Sequence, residues 1–273
     1  MANLTTTTSA EFIPEVWSKM VLKAVEDNLV LANLVTRLDA DVKGRGDIIH
    51  IPNVSNLAAN DKIAGSEVQL QAPTETSVTL TVNQHKESSF LVEDIADVQS
   101  QYNLMSLYTD KAGFAIAEAV DSSLAALASG FSQVQGTFNT AITTDVVLDS
   151  IQDLDDANVP QSDRHFVFRP DVKRDLLDLS TYTSKDFVSG GPVQSGMIGD
   201  LYGVSTYMSN NVLRAGSNTS NMMFHKEAMA LAMQNGPRVQ SENSIRDLGS
   251  IVVADALYGV IELRDTFGVL VRT

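Results

Sequence analysis

No cysteine occurs anywhere in the 273 residues, which excludes disulfides and thiolate metal sites. Basic residues are scarce as well: 19 Lys and Arg stand against 34 Asp and Glu, a formal net charge of −15. Gripping phosphates takes clustered cations that displace counterions. Here the cations are scattered, without an aromatic-interleaved basic stretch, so sequence-specific nucleic-acid binding is not expected. An acidic surface beside nucleic acid would confine the polymer without sticking to it. Apolar runs fall short of the roughly 18 residues of a membrane span, and the start, MANLTTTTSAEF, lacks a charged-then-apolar signal. We therefore expect a cytoplasmic product with no membrane partner. Hydrophobic residues at 44% are enough for a folded, soluble chain of one large or two modest domains.

Catalytic signatures are missing too. His50, His85, His165 and His225 stand far apart, and there is no HExxH, no GxSxG elbow and no GxGxxG after a strand. The run Asp153, Asp155, Asp156 looks like part of a calcium loop but lacks its central glycine and closing glutamate. Arg45-Gly46-Asp47 matches an adhesion tripeptide by letters alone. We expect no catalytic residue, no cofactor and no metal.

The most strongly patterned stretch runs from Asp97 to Gly130 and reads as one long helix. Asp97 suits the N-cap and Gly130 a left-handed stop. At roughly 1.5 Å per residue it would reach about 50 Å. Val98, Tyr102, Met105, Ala112, Ile116, Val120, Leu124 and Leu127 share one face. Leu107 and Phe114 form a second stripe on the far side, which calls for a cover from this chain or a neighbouring one.

Before that helix, residues 1–12 read as a polar arm and a helix starts at Pro14, followed by an apolar cluster from Leu29 to Val35. Ile48–Ile51 is a short strand closed by Pro52, and Ser77–Asn83 alternates with Val78, Leu80 and Val82 on one face. Between them Asn53–Pro73 is polar and aperiodic, an excursion of roughly 25 residues of the kind that is usually functional. Ser89–Ile95 is a further strand leading into the long helix. Beyond Gly130 a polar link precedes a helix over Thr144–Asn158, a strand at His165–Phe168 and a helix from Pro170. Tyr182–Gly199 reads as a loop, Val204–Met208 and Met222–Phe224 as strands, and His225–Met233 as a short helix. The remainder is strand-rich: Ile251–Val253, Tyr258–Leu263 and Val269–Val271.

Six segments in order resemble one family, the major capsid proteins of tailed bacteriophages with the Hong Kong 97 fold. They are FIPEVWSKMVLKAVEDNLVLANLVTR, GRGDIIHIP, SSFLVEDIADVQSQ, LDDANVPQSDRHFVFRPDV, HKEAMALAMQ and ALYGVIELRDTFGVLVRT. The resemblance implies an α+β fold with an N-terminal arm and helix (1–45), an extended β-hairpin loop (46–90), a peripheral domain with a long spine helix (91–140), an axial α/β domain (141–236) and C-terminal strands (237–273) completing either domain. It further implies a structural protein that self-assembles into pentamers and hexamers of an icosahedral head. Its partners would be itself, scaffolding and portal proteins, and packaged double-stranded DNA confined without sequence-specific binding. Candidate subunit contacts are Leu107 and Phe114 on the helix and Val54, Leu57, Ile63, Val68 and Leu70 on the loop. Some members join subunits by Lys–Asn isopeptide bonds, but no local motif marks such a pair here. The alternatives are an encapsulin-like nanocompartment shell enclosing cargo protein and, from another class, a small acidic hydrolase.

Overall fold

The computed structural model describes residues 30–42, 46–54, 57–62, 64–65, 67–68, 70–73, 75–95, 104–179 and 200–273. The helix expected from Pro14, the start of the long helix with Val98 and Tyr102, Arg45, Ile63 and the Tyr182–Gly199 loop lie outside these.

Two sheets organise the chain. The first has four strands in the order β1 (Thr36–Arg37), β10 (Met229–Ser244), β11 (Gly249–Glu262) and β4 (Gln84–Glu93). Across it lies the long helix α1, Leu104–Leu127, extended by a 3-10 turn to Gly130. The expected face is the buried one: Ala112, Ile116, Val120 and Leu124 pack on Leu231, Val252, Ala254, Ala256 and Tyr258. Tyr258 is wholly buried beneath the helix, yet its hydroxyl donates to the Ala119 carbonyl at 3.2 Å and lies 3.0 Å from Ser123 Oγ, so no polar atom is stranded there. Leu31, Ala32, Leu34 and Val35, the apolar cluster read before β1, join the same core.

The second sheet runs β5 (Gln133–Gly136), β12 (Gly268–Arg272), β9 (Asn218–His225), β6 (Arg164–Phe168) and β7 (Ser205–Met208), with β8 (Arg214–Ala215) on β9. Helices α2 (Thr144–Asp156) and α3 (Pro170–Asp178) cover it through Val147, Leu154, Val172 and Leu176. Thr143 caps α2 by accepting from the Val146 amide, and Asn158, at φ 56°, ends it. Phe131, in the core cluster shared with α1, packs against Gly268 at the start of β12, a position where any Cβ would strike its ring.

Four readings of the sequence need correction. His225–Met233 is not a helix: a 3-10 turn at Lys226–Ala228 leads into β10. Met229, Leu231 and Met233 face the long helix while Ala230 and Ala232 face a third cluster with Val42, Leu80 and Val82. A strand buried on both faces loses its alternation, and Ala, Leu and Met then mimic a helix. Gly130 does not adopt a left-handed stop; its missing Cβ instead makes room for the Glu262 carboxylate, which a Cβ would approach to 2.7 Å. Ile251–Val253 and Tyr258–Leu263 belong to one strand, because the charge of Asp255 between them is neutralised across strands: Arg238 donates to it at 2.7 and 3.0 Å and His85 Nε2 lies 2.9 Å away. The polar link after Gly130 contains β5, whose Gln135 donates to Asp153 at 2.7 Å.

Candidate subunit-contact surfaces

A hairpin, β2 (Ile48–Val54) with β3 (Glu75–Thr81), stands apart from both sheets. Its register runs from Ile48↔Thr81 to Val54↔Glu75, so each strand spans about 23 Å. Pro52 is accommodated opposite Ser77 because a two-stranded ribbon has only edge strands. The root is tied down: the Val82 amide donates to the Asp47 carbonyl at 2.7 Å, and Gln234 donates to the Gly46 carbonyl at 2.9 Å. Gly259 of β11 lies directly under it, where a Cβ would meet the Thr81 carbonyl and, at 3.0 Å, Val82 Cα.

Past Val54 the described residues of the ribbon, 57–62, 64–65, 67–68 and 70–73, are exposed. Gln71 clips the tip by donating to the Ala58 carbonyl and accepting from the Ala58 amide at 2.9 Å. Leu57 and Leu70, next to that clip, are 66% and 93% exposed, and Val68 is 68% exposed. An isolated ribbon is marginal in water, and this one also carries unburied aliphatic residues. Ile63 and the Val54 side chain lie outside the described residues.

The helix candidates sit elsewhere. Phe114 is half exposed on the outward side of α1, and the Leu107 side chain is outside the described residues. Tyr108, missed in the sequence reading, is equally exposed and leans on Phe90 with ring centroids 5.6 Å apart. A further set, also missed, gathers at the far end of the first sheet: Ile245 and Leu248 on the β10–β11 turn, with Leu91 and Ile95. The Asp94 amide donates to the Leu248 carbonyl at 3.0 Å and holds these segments together. Periodicity could not reveal this set because it joins the β10–β11 turn to the end of β4 and the residues just after it.

Charged groups inside the subunit serve structural ends. The guanidinium of Arg238 bonded to Asp255 holds that carboxyl below the usual range. Asp121, fully buried on α1, accepts from the Val30 amide at 3.3 Å, and burial pushes its carboxyl up. The acidic run resolves into ordinary contacts: Asp155 pairs with the buried Arg164 at 2.7 Å, and Asp153 takes the bond from Gln135. Among the described residues no group of three or more His, Asp or Glu converges on a metal position. Among the described residues one helix, Tyr108–Gly130, is long and apolar enough to cross a bilayer by length and composition, against the expectation from apolar runs alone; half of its 18-residue apolar window is buried inside the subunit.

The sequence profile of the phage capsid protein family matches residues 77–271. Among solved structures, one from Mycobacterium phage Che8 is 28% identical, covers 89% of this chain and 90% of its own, and superposes with a TM-score of 0.78. The capsid structure of Cyanophage P-SCSP1u is 17% identical over 89% of this chain and 87% of its own, with a TM-score of 0.75. A virus-like particle from Pyrococcus furiosus shares the fold at 10% identity, covering 94% of this chain and 98% of its own, with a TM-score of 0.65. No curated protein sequence matches the chain.

Proposed function

The chain belongs to the phage capsid protein family and has the Hong Kong 97-like fold, and from that premise we propose that its copies close into the pentamers and hexamers of an icosahedral head around double-stranded DNA. The observation that carries this reading is the hairpin, a ribbon that leaves the subunit core with its aliphatic tip unburied. Contacts repeated head to tail generate closed rings, and obligate contacts of this kind bury more than about 2,000 Å². On this reading the hairpin is the extended loop, the four-stranded sheet with α1 is the peripheral domain, and the six-stranded sheet is the axial domain. The C-terminal strands then serve both, β11 in the first and β12 in the second. The charge of −15 suits a wall that confines DNA without gripping it. Scaffolding and portal proteins would guide closure in the host cytoplasm.

Light scattering of the purified chain at micromolar concentration should give capsomers or shells, with scaffolding protein supplied where closure needs it, and electron micrographs should show closed particles. A chain that stays monomeric even with its phage partners overturns the reading. The likeness to the virus-like particle makes a cargo-holding compartment the second reading. Nuclease-protected DNA of genome length inside the particles supports the head, and a protein filling supports the compartment.

A further inference from the structure

Among the described residues the chain passes between the two sheets at three places: 131–132 from the end of α1 to β5, Lys226–Ala228 from β9 to β10, and 263–267 from β11 to β12. These crossings are bonded to one another. The Leu263 and Arg264 amides both donate to the Ala228 carbonyl, at 2.8 and 3.2 Å, which ties the third crossing to the second. On its other side the third crossing meets the first, where Asp265 accepts from the Ser132 amide at 2.7 Å. Glu262 reaches the same place from the end of β11, and its carboxyl donates a hydrogen bond to Asp265. The Glu262 carboxyl lies in the space that Gly130 leaves open.

We propose that Glu262 and Asp265 form a proton-dependent clasp between the first crossing and the third: sharing one proton they hold the two together, and with both ionised they part and loosen the junction between the sheets. The clasp lies within one subunit, so the inference goes beyond the shell-forming reading and does not depend on it. Two carboxylates that share a site resist double ionisation unless a cation offsets them. Arg264 is the nearest cation in the chain, but its guanidinium is turned to Glu227 at 3.8 Å and lies 4.8 Å over the Phe267 ring. Lys226 of the second crossing acts on His165, and His225 packs edge-on against Phe267. The remaining neighbours carry no charge: Gly130 and Ser132 on the first crossing and Met229 opposite Glu262 on β10. Burial, then the charge and hydrogen bond of Asp265, push the Glu262 carboxyl above its ordinary value. Burial acts the same way on Asp265, yet bonds from the Ser132 hydroxyl and amide and from Glu262 hold that carboxyl below its ordinary value. The shared proton therefore resides on Glu262. Its contribution is complete below the unfolded value of about 4.3 and is lost as pH rises through the folded one.

Hydrogen exchange at the Ser132 amide follows the clasp, because that amide is bonded to Asp265. The full chain is measured by mass spectrometry with single-residue fragmentation, with parent and variants in the same assembly state and rates corrected for the chemical effect of pH. Protection in the parent should fall at least about fivefold between about pH 5 and 8. Glu262→Gln keeps a donor for Asp265 and carries no charge, so its protection should stay high across the range. Gly130→Ala adds a carbon 2.7 Å from the Glu262 carboxyl oxygen, displaces that side chain and should leave protection low even at the acid end. Should Glu262→Gln fail to fold, Asp265→Asn takes its place, since the amide oxygen still accepts from Ser132 and its nitrogen can donate to Glu262. Protection in the parent that does not fall, or a neutral variant with the parent's pH profile, overturns the proposal. A fall of equal size at Val120 and Phe224 would report general unfolding and overturn it as well.

Discussion

Removing the hairpin tip separates folding from assembly. Val54 and Glu75 are directly paired, so an Asn-Gly turn can replace residues 55–74 without changing the register of the remaining ribbon. What the subunit loses can be worked out from exposure. About a third of Leu57 and Val68 and under a tenth of Leu70 is covered in the subunit. With roughly 1.5–3 kcal/mol for full burial of such a side chain, the loss is on the order of 1–2 kcal/mol. Against this, shortening the loop about tenfold returns (3/2)RT ln 10, roughly 2 kcal/mol of closure entropy. The two nearly cancel. At about 2–4 °C per kcal/mol for a chain of this size, the melting temperature should move by less than about 4 °C in either direction. Shells should nevertheless be absent, because every subunit lacks a contact repeated around the whole particle. Circular dichroism melts and electron micrographs of one preparation check both halves. A fall of more than about 10 °C would show that the tip belongs to the subunit core, and normal shells would show that it carries no contact; either refutes the reasoning.

Three other outcomes test the packing and the charges. Leu124→Ala opens a hole under α1 and should cost about 2–5 kcal/mol in denaturant titration, whereas Phe114→Ala on the outward side should leave the isolated subunit within about 1 kcal/mol of the parent. Gly259→Val should cost more than about 3 kcal/mol or prevent folding, because the added carbons meet the backbone at Thr81 and Val82, which the hairpin root cannot yield; a variant as stable as the parent would mean that the root is loose. The pH dependences of two carboxyls run in opposite senses. Asp255 is held below its unfolded value of about 3.9, so its contribution is present above that pH and disappears as pH falls through the folded value. Asp255→Asn should flatten that acid limb. Asp121 is pushed up by burial, so its contribution is complete below about pH 3.9 and declines as pH rises through the folded value. The stability of Asp121→Asn relative to the parent should therefore improve between pH 3.5 and 7, and a gap that stays constant would contradict the assignment.

Local rules were enough wherever a segment buries one face. Ala112, Ile116, Val120 and Leu124 declare α1 because a half-buried helix must place its apolar residues at three- and four-residue steps. Val78 and Leu80 declare β3 by the same logic at a period of two, and Val147 and Leu154 declare α2. The long polar excursion before β3 was equally legible, since a stretch with so little to bury cannot be core. Tertiary structure decided what local periodicity does not encode. Met229–Met233 is a strand because both of its sides are covered, by α1 above and by Leu80 and Val82 below, and residues far away in the chain supply those covers. Asp255 sits inside a strand because Arg238 and His85 come to it from the two neighbouring strands, 17 and 170 residues away. The exposed patch at the far end of the first sheet joins Leu91 and Ile95 to Ile245 and Leu248. No window of sequence contains such a site: periodicity reports the burial of one segment, and a contact surface is made of the segments that folding sets side by side.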